Sequence, residues 1–303
     1  MKDLAPILLF VYNRPQHVER AIGSLLQNRE AAASDLYVFS DAARSAEDAA
    51  AVEMVRKEIA DIQGFRSVSV VIRNENFGLA RSIIEGVTSI VNRYGRVIVL
   101  EDDLVVSPYF LRFMNDALEV YKDEPRVGHI QACDFIQSPA LPETFLIKWT
   151  GSWGWATWQR AWELFNPNGQ ELLDQLCERR LTKQFDFNGK YGFTRMLRQQ
   201  IEGKNNSWAI RWNASLFLAD VFSLNVGRSL VSNEGLDGSG TNSVSLDPYR
   251  SALSMNPIEV RPISPVVENL EVRKAYERYY ARTNSKWAKA KRRLQRTLKA
   301  LLS

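Results

Sequence analysis

Residues 96 to 104 read Arg-Val-Ile-Val-Leu-Glu-Asp-Asp-Leu, four consecutive apolar residues closed by three consecutive carboxylates. A short unbroken apolar run of this kind is the pattern of a strand buried on both faces, as in a parallel sheet. Such a strand tolerates no charge inside the sheet, so Glu101, Asp102 and Asp103 have to stand where it leaves the sheet. In open α/β sheets that carboxyl end is where ligands bind. Three adjacent carboxylates repel one another unless a positive group joins them. A hard divalent cation held by oxygen ligands meets that need and would in turn hold a phosphate. A solvated acidic turn is the plainer reading of the same residues.

The preceding chain alternates between two periods. Pro6 to Tyr12 is a buried strand, Asn13-Arg14-Pro15 a turn, and Val18, Ala21, Ile22, Leu25 and Leu26 have helical spacing. Leu36 to Asp41 is a second strand, Ala42 to Ile62 is helix-prone, and Val68 to Arg73 is a third strand. After the loop Asn74 to Gly78, Leu79 to Tyr94 reads as a helix ended by Gly95. Alternation of this kind implies right-handed βαβ units and an α/β fold, a mostly parallel sheet flanked by helices. Topology then brings three strand ends to one edge, carrying Asn13-Arg14, Asp41 and Glu101 to Asp103. A nucleotide pocket there would use Asp41 at a ribose or base, Arg14 or Arg81 at a phosphate, and Asp103 at a metal. Asp41 reads equally as a helix cap, and both arginines as surface residues. Neither Gly-x-Gly-x-x-Gly after the first strand nor a Walker lysine motif is present, which disfavours dinucleotide oxidoreductases and P-loop NTPases.

The second half has a different character. Ser107-Pro108 opens a helix, Val127 to Cys133 reads as a strand with Asp134 at its end, and Leu146 to Trp149 as one more. Residues 149–162 hold five of the eight tryptophans. Trp158 and Trp162, four apart, read as the core face of a helix. Trp153-Gly154-Trp155 places flat aromatic faces beside a glycine, which suits the apolar face of a sugar ring; core packing is the alternative for each tryptophan. Ser207 or Asn206 would cap a helix containing Arg211, which binds diphosphate or pairs with an acid. Ser223 to Val226 is a short strand, and Gly227 to Asn242 a Gly/Ser/Asn-rich loop that either folds over a ligand or lies on the surface.

The net charge of +4 hides an asymmetry, because residues 273–303 hold 11 basic residues and one acid, leaving 28 basic and 34 acidic residues before them. A nucleic-acid surface on the main body is therefore not indicated. Lys286 to Leu302 has seven basic residues, no acid, and an apolar stripe of Trp287, Ala290, Leu294, Leu298 and Leu301. This basic amphipathic helix suits an anionic membrane surface, with nucleic acid or a partner groove as the alternatives and a solvated helix as the plainer reading. The chain opens without a signal-peptide pattern, and Cys133 and Cys177 form no disulfide framework, so a cytoplasmic location is expected, peripheral on the inner face of the plasma membrane through the tail. The two histidines, His17 and His129, leave little for His-based metal or Ser-His-Asp chemistry.

Together these segments resemble the metal-dependent GT-A glycosyltransferases, especially bacterial surface-polysaccharide transferases related to N-acetylglucosaminyltransferase I. The resemblance lies in Val11 to Pro15, Phe39-Ser40-Asp41, Asn76-Phe77-Gly78-Leu79, Val97 to Pro108, Gly151 to Trp155, Ser207 to Trp212 and Asp237 to Gly240, and spans about residues 5–245. It implies a GT-A, Rossmann-like fold with residues 1–125 as nucleotide-sugar half, 126–265 as acceptor half and 266–303 as a C-terminal helical tail. It further implies inverting transfer of a sugar from a nucleotide-sugar donor, a UDP-sugar favoured, to a saccharide or lipid-linked acceptor in cell-surface polysaccharide or lipopolysaccharide synthesis. Glu101-Asp102-Asp103 would be the variant Asp-x-Asp motif. Asp103 would coordinate Mn²⁺ or Mg²⁺, with Asp102 and Glu101 at ribose and donor sugar. Asn13, Arg14, Asp41, Asn76, Arg81, Trp153, Trp155 and Arg211 would complete the donor site. The chain departs from the family where the base is an Asp beside a Trp before the last helix, since Asn205 to Arg211 contains no carboxylate. Asp237, Asp134 and Glu234 are the substitutes, Asp237 foremost. A sugar-phosphate nucleotidyltransferase and a non-catalytic nucleotide-sugar-binding protein are the competing readings.

Overall fold

In the first strand, Ile7, Leu9 and Val11 belong to one apolar core and Leu8 and Phe10 to another. Alternate side chains of a strand take opposite faces, so this sheet needs cover on both. The computed structural model describes residues 3–237 and 252–285, with the backbone alone for Leu236 and Asp237. In chain order the elements are β1 (Ile7–Val11), α1 (Pro15–Leu26), β2 (Asp35–Ser40), α2 (Ala46–Ala60), β3 (Ser67–Ile72), α3 (Gly78–Tyr94), β4 (Arg96–Glu101), β5 (Leu104–Val106), α4 (Phe110–Val120) and β6 (Val127–Gln131). They continue with β7 (Thr144–Ile147), β8 (Trp155–Trp158), α5 (Gln159–Trp162), α6 (Gly169–Glu178), α7 (Thr182–Phe185), α8 (Phe193–Ile201), α9 (Trp208–Leu218), β9 (Phe222–Val226), β10 (Val231–Asn233) and α10 (Leu270–Thr283).

Eight strands form one sheet in the order β3-β2-β1-β4-β8-β6-β9-β7. The pairs β3–β2, β2–β1, β1–β4 and β6–β9 are parallel, while β8 and β7 run against their neighbours. The expected mostly parallel α/β sheet flanked by helices is therefore present. Its strands cross residue 125 without a break, because β8 joins β4 to β6. Helices α1, α2 and α4 cover one face, and α3, α5 and α9 the other. A further apolar cluster gathers β7, α6, α8, α9 and α10. Ser207 at the head of α9, whose Oγ accepts from Ile210 N at 3.2 Å, starts its helix as the sequence suggests, whereas Pro15, expected in a turn, is already the first residue of α1, a position where its missing N–H costs nothing.

Two segments differ from expectation. Trp158 and Trp162 do not share a helix face: Trp158 ends β8, and only Trp162 is helical. All four residues of β8 are buried between β4 and β6, and aromatic residues suit that position. Gly154, just before it, has φ 63°, and a Cβ there would lie 2.6 Å from Val231 Cγ2. The loop expected over 227–242 contains β10, which pairs antiparallel with β5. The basic amphipathic stretch 286–302 lies outside the described residues.

Trp155, expected beside a sugar, is instead fully buried, stacked on His129 at 5.4 Å and on Trp208 at 5.1 Å. Trp212 Nε1 donates to His129 Nδ1 at 3.1 Å, so His129 Nε2 carries the ring proton and meets Gln131 Oε1 at 3.4 Å. Burial pushes the imidazole down to about 3, against the hydrogen bonds to Gln131 and the Gly151 backbone. The unfolded chain then takes up a proton below about pH 6.5 that the folded chain refuses. Stability is complete above that pH and falls as pH drops toward 3, by up to about 1.4 kcal/mol per pH unit. Urea unfolding at pH 7, 6 and 5 should show a slope about one proton steeper for the wild type than for His129→Gln; equal slopes would contradict a neutral, buried His129.

Candidate functional site

Strands β1 and β4 are parallel neighbours with Phe10 opposite Glu101, so the residues following both leave the sheet at one edge. There the Arg14 guanidinium bonds Asp102 Oδ1 and, at 3.1 Å, Asp103 Oδ2. Tyr12 N donates to Asp102 Oδ2 at 3.2 Å. Asp102 is 3% exposed, and burial raises its carboxyl to about 6; Arg14 opposes the rise and Asp103 adds to it. Burial, then the charges of Asp103 and Asp102, push Glu101 up to about 8, with Arg14 opposing. One guanidinium thus faces three carboxylates.

A second segment closes on this cluster. β10 pairs with β5, which follows Asp103 directly, and Glu234 N donates to the Asp103 carbonyl at 2.8 Å. Gly235 lies so close that a Cβ there would strike the Asp103 carboxylate, and its N–H is held by Asn233 Oδ1 at 2.9 Å. The Glu234 carboxylate is partly exposed and accepts from Ser232 Oγ at 2.8 Å. Of the three expected proton acceptors, Glu234 therefore stands beside Asp103. Asp134 is fully buried and turned into its own loop, accepting from Gln137 N at 2.9 Å and Ile136 N at 3.2 Å; burial raises its carboxyl to about 6 against those bonds. The side chain of Asp237 lies outside the described residues.

Among the described residues no three His, Cys, Asp or Glu side chains converge as a closed metal cage. The donors are nevertheless hard oxygens carrying uncompensated charge. Mg²⁺-type sites commonly use one or two carboxylates and complete the shell with substrate phosphates and water. Asp103, with a side chain 16% exposed, fits that open kind of site; Asp102, buried and paired, does not.

The other expected residues are more occupied than their sequence positions suggest. Asn13 donates to Asp48 Oδ1 at 2.7 Å, and Tyr12 Oη to Asp48 Oδ2 at 2.8 Å. Asp48, from the first turn of α2, was not legible as a partner because nothing local marks it. Asp41 caps α3 rather than the segment after it. Its carboxylate accepts from Ala42 N, Phe77 N and Gly78 N at 2.8–2.9 Å and from Asn76 Nδ2 at 3.2 Å. Arg81 pairs with Glu85 and Glu75 and lies over the Phe77 ring at 3.6 Å. Arg211 is buried, donating to the carbonyls of Ser207 and Pro167 at 3.2 Å and to Asn206 Oδ1 at 3.5 Å, with no acid among its described partners.

Beyond β8, a cleft of ≈ 190 Å³ opens at the carboxyl end of β6. Trp153 lines it, with Gln131, Trp149, Tyr191, Asn213 and Tyr280 among its other walls. Among the described residues, no charged side chain lines it.

No family model matches this chain, and no curated protein does. Among solved structures it is similar to the mannosyltransferase PcManGT from Pyrobaculum calidifontis in complex with GDP-Man and Mn²⁺, at 14% identity and a TM-score of 0.34, covering 57% of this chain and 49% of that one. It is also similar to mouse xyloside xylosyltransferase 1 in its apo form, at 11% identity and a TM-score of 0.40, covering 72% and 83%. A UDP-glucose pyrophosphorylase complexed with UDP-glucose matches at 11% identity and a TM-score of 0.38, covering 74% and 90%. The chain spans about half the length of the mannosyltransferase and 23% of S. aureus TarS.

Removing one partner of a buried ion pair leaves the other charge uncompensated, at a cost of about 3–5 kcal/mol. Arg14→Gln is therefore expected to lower unfolding free energy by about that amount at pH 7, and Asp102→Asn added to it should restore much of the loss. Denaturant titration of both variants checks this; a single variant within about 0.5 kcal/mol of wild type would mean that the bridge is not structural.

Proposed function

We propose that the chain is a metal-dependent GT-A glycosyltransferase that moves a sugar from a nucleotide-diphosphate donor, a UDP-sugar favoured, to an acceptor hydroxyl with inversion. One observation carries this reading: at the carboxyl end of a buried parallel strand, Asp103 is held by Arg14 on one side and by the Glu234–Gly235 turn on the other. Asp103 would hold Mn²⁺ or Mg²⁺, and Glu101 would lie next to it. The cation, when bound, stabilises the negative charge of the departing diphosphate. Arg14 keeps the acidic end ordered and brings a positive charge to the phosphate side. Asp102 acts through position, since it is buried and paired.

The acceptor proton goes to a carboxylate of the turn 234–237, either Glu234 or Asp237. Residues 1–125 would then form the donor half and 126–265 the acceptor half, the cleft beside Trp153 belonging to the latter. A role in cell-surface polysaccharide synthesis at the inner face of the plasma membrane rests on the basic stretch 286–302, an anchor of the kind that gathers on anionic lipid. Among the described residues no helix is long and apolar enough to cross a membrane.

Calorimetric titration with UDP, GDP and their sugars, in Mn²⁺ and in EDTA, tests the site. Chelation and Asp103→Asn should each weaken binding at least about tenfold, or about 1.4 kcal/mol; binding indifferent to both would remove Asp103 from the metal role. In a transfer assay, replacing the true base in Glu234→Gln or Asp237→Asn should cut turnover about 10²–10⁴-fold with nucleotide affinity retained. Release of pyrophosphate from a nucleoside triphosphate and a sugar phosphate would instead identify a nucleotidyltransferase.

A further inference from the structure

Charge is unevenly spread over the folded body. Residues 1–272 hold 28 basic and 34 acidic residues, yet the stretch 183–198, covering α7, α8 and the loop between them, carries Lys183, Lys190, Arg195 and Arg198 against one acid, Asp186. All four cations are exposed, and none forms an ion pair with another described residue. Exposed cations such as Arg66, Arg81, Lys122 and Arg261 each share a carboxylate. Asp186 offsets little here. It accepts from Thr194 N at 2.6 Å, and Arg198 and Arg195 only oppose the rise that burial gives its carboxyl.

Helix α10 brings a second row of cations to the same place. Asn188 Nδ2 donates to Glu277 Oε1 at 2.6 Å, the Tyr191 and Tyr280 rings lie 4.6 Å apart, and Asn284 Nδ2 reaches the Lys190 carbonyl at 3.5 Å. Arg278 and Arg282, four apart on α10, share a helix face. Both are exposed, again without an ion pair among the described residues. Glu277, the acid on this half of the helix, is engaged by Asn188 and by the buried Arg273 at 3.4 Å. The chain leaves α10 here, and the sequence goes on into the basic stretch 286–302.

Six cations on one surface call for a broad counter-charge. A single phosphate or carboxylate would meet only one or two of them. A nucleic-acid duplex is a rod whose charge would run on over the acidic body, whereas a flat anionic surface touches this face alone. The apolar stripe among the cations of 286–302 also suits a lipid boundary better than a row of phosphates. Stable attachment to a bilayer commonly takes two signals, one apolar and one polybasic.

We infer that this face of the body, with Lys183, Lys190, Arg195 and Arg198 beside Arg278 and Arg282, lies against the anionic headgroups of a phospholipid membrane. The inference rests on the proposed membrane location and adds to it a contact made by the folded body. That contact sets orientation as well as affinity. Tyr191, Met196 and Tyr280, which belong to the same two segments, line the cleft beside Trp153, so the cleft stands at the edge of the lipid contact.

Co-sedimentation of the full chain with phosphatidylcholine vesicles, with and without phosphatidylglycerol, tests this at low and high salt. The wild type should bind only the anionic vesicles, and less tightly as salt rises. Lys190→Glu/Arg195→Glu/Arg198→Glu should weaken that binding at least about tenfold, since each cation near an anionic surface is worth about fivefold, while thermal unfolding and nucleotide affinity stay unchanged. Lys190→Arg/Arg195→Lys/Arg198→Lys keeps the charges and should bind as the wild type does, which separates lost charge from lost folding. Lys289→Glu/Lys291→Glu/Arg292→Glu probes the terminal stretch by itself. Binding lost in the body reversal and kept in the terminal variant would sustain the inference and remove the terminal anchor. Binding that survives the body reversal and is lost in the terminal variant would overturn the inference and leave that anchor in place. An equal loss in the charge-keeping variant, no binding of the wild type to anionic vesicles, or tighter binding to a DNA duplex than to the vesicles would also overturn it.

Discussion

Among the described residues, the Arg14 guanidinium is the positive group that bonds the acidic strand end, and the site is ordered around it. It joins the segment after β1 to the segment after β4, and so converts two neighbouring strand ends into one rigid edge. Without it, Asp102 would be a buried anion with only a backbone amide for company. Burial of a charge is tolerated only when it is paired and hydrogen-bonded. The same arrangement sets one guanidinium against a cluster of three carboxyl groups among the described residues, which is the condition under which a cation and a phosphate become good partners.

Around that edge the fold divides labour between its two faces and its two ends. One face is a largely aliphatic core under α1, α2 and α4, with Phe110, Phe113 and Trp158 among its aromatic members; the other, toward β8 and α9, is a tryptophan-rich core in which His129 is held neutral. Rigid aromatic packing there does more than stabilise. It determines the tautomer of His129, hence the orientation of Gln131, hence the chemical character of the neighbouring cleft. A core residue and a cleft residue are thus two links of one hydrogen-bond chain. The turn at Glu234 and Gly235 plays the matching role at the acidic end, since a short antiparallel pairing brings it onto Asp103 from a distant part of the chain.

Much of the first half was legible from hydrophobic period alone. Apolar runs ended by Asn13-Arg14, Asp41 and Glu101-Asp102-Asp103 correspond to β1, β2 and β4, and Gly95 ends α3 as expected. The tryptophan segment was misread because the spacing of Trp158 and Trp162 is helical, while its real environment is a slot between two strands. Tertiary burial overrides local period when a segment is this short. Likewise, Asp41 and Arg211 have the composition of ligand contacts, but their partners are backbone groups within the fold.

By itself the sequence determined the class of fold and the presence of an acidic end on a buried strand, because burial pattern and charge are local properties of the chain. It also determined the imbalance of charge between body and tail, which is a matter of composition. Only the tertiary structure decided which carboxylate is buried beneath Arg14 and which keeps an exposed edge, since Arg14 lies 88 residues from Asp102 and 89 from Asp103. It alone decided that β10 meets β5, that Trp155 is core while Trp153 lines a cleft, and that two buried amides, Gln131 and Asn213, line the same cleft. Each of these depends on pairings between distant segments, and the chemistry of a side chain is set by the partners that the fold brings to it.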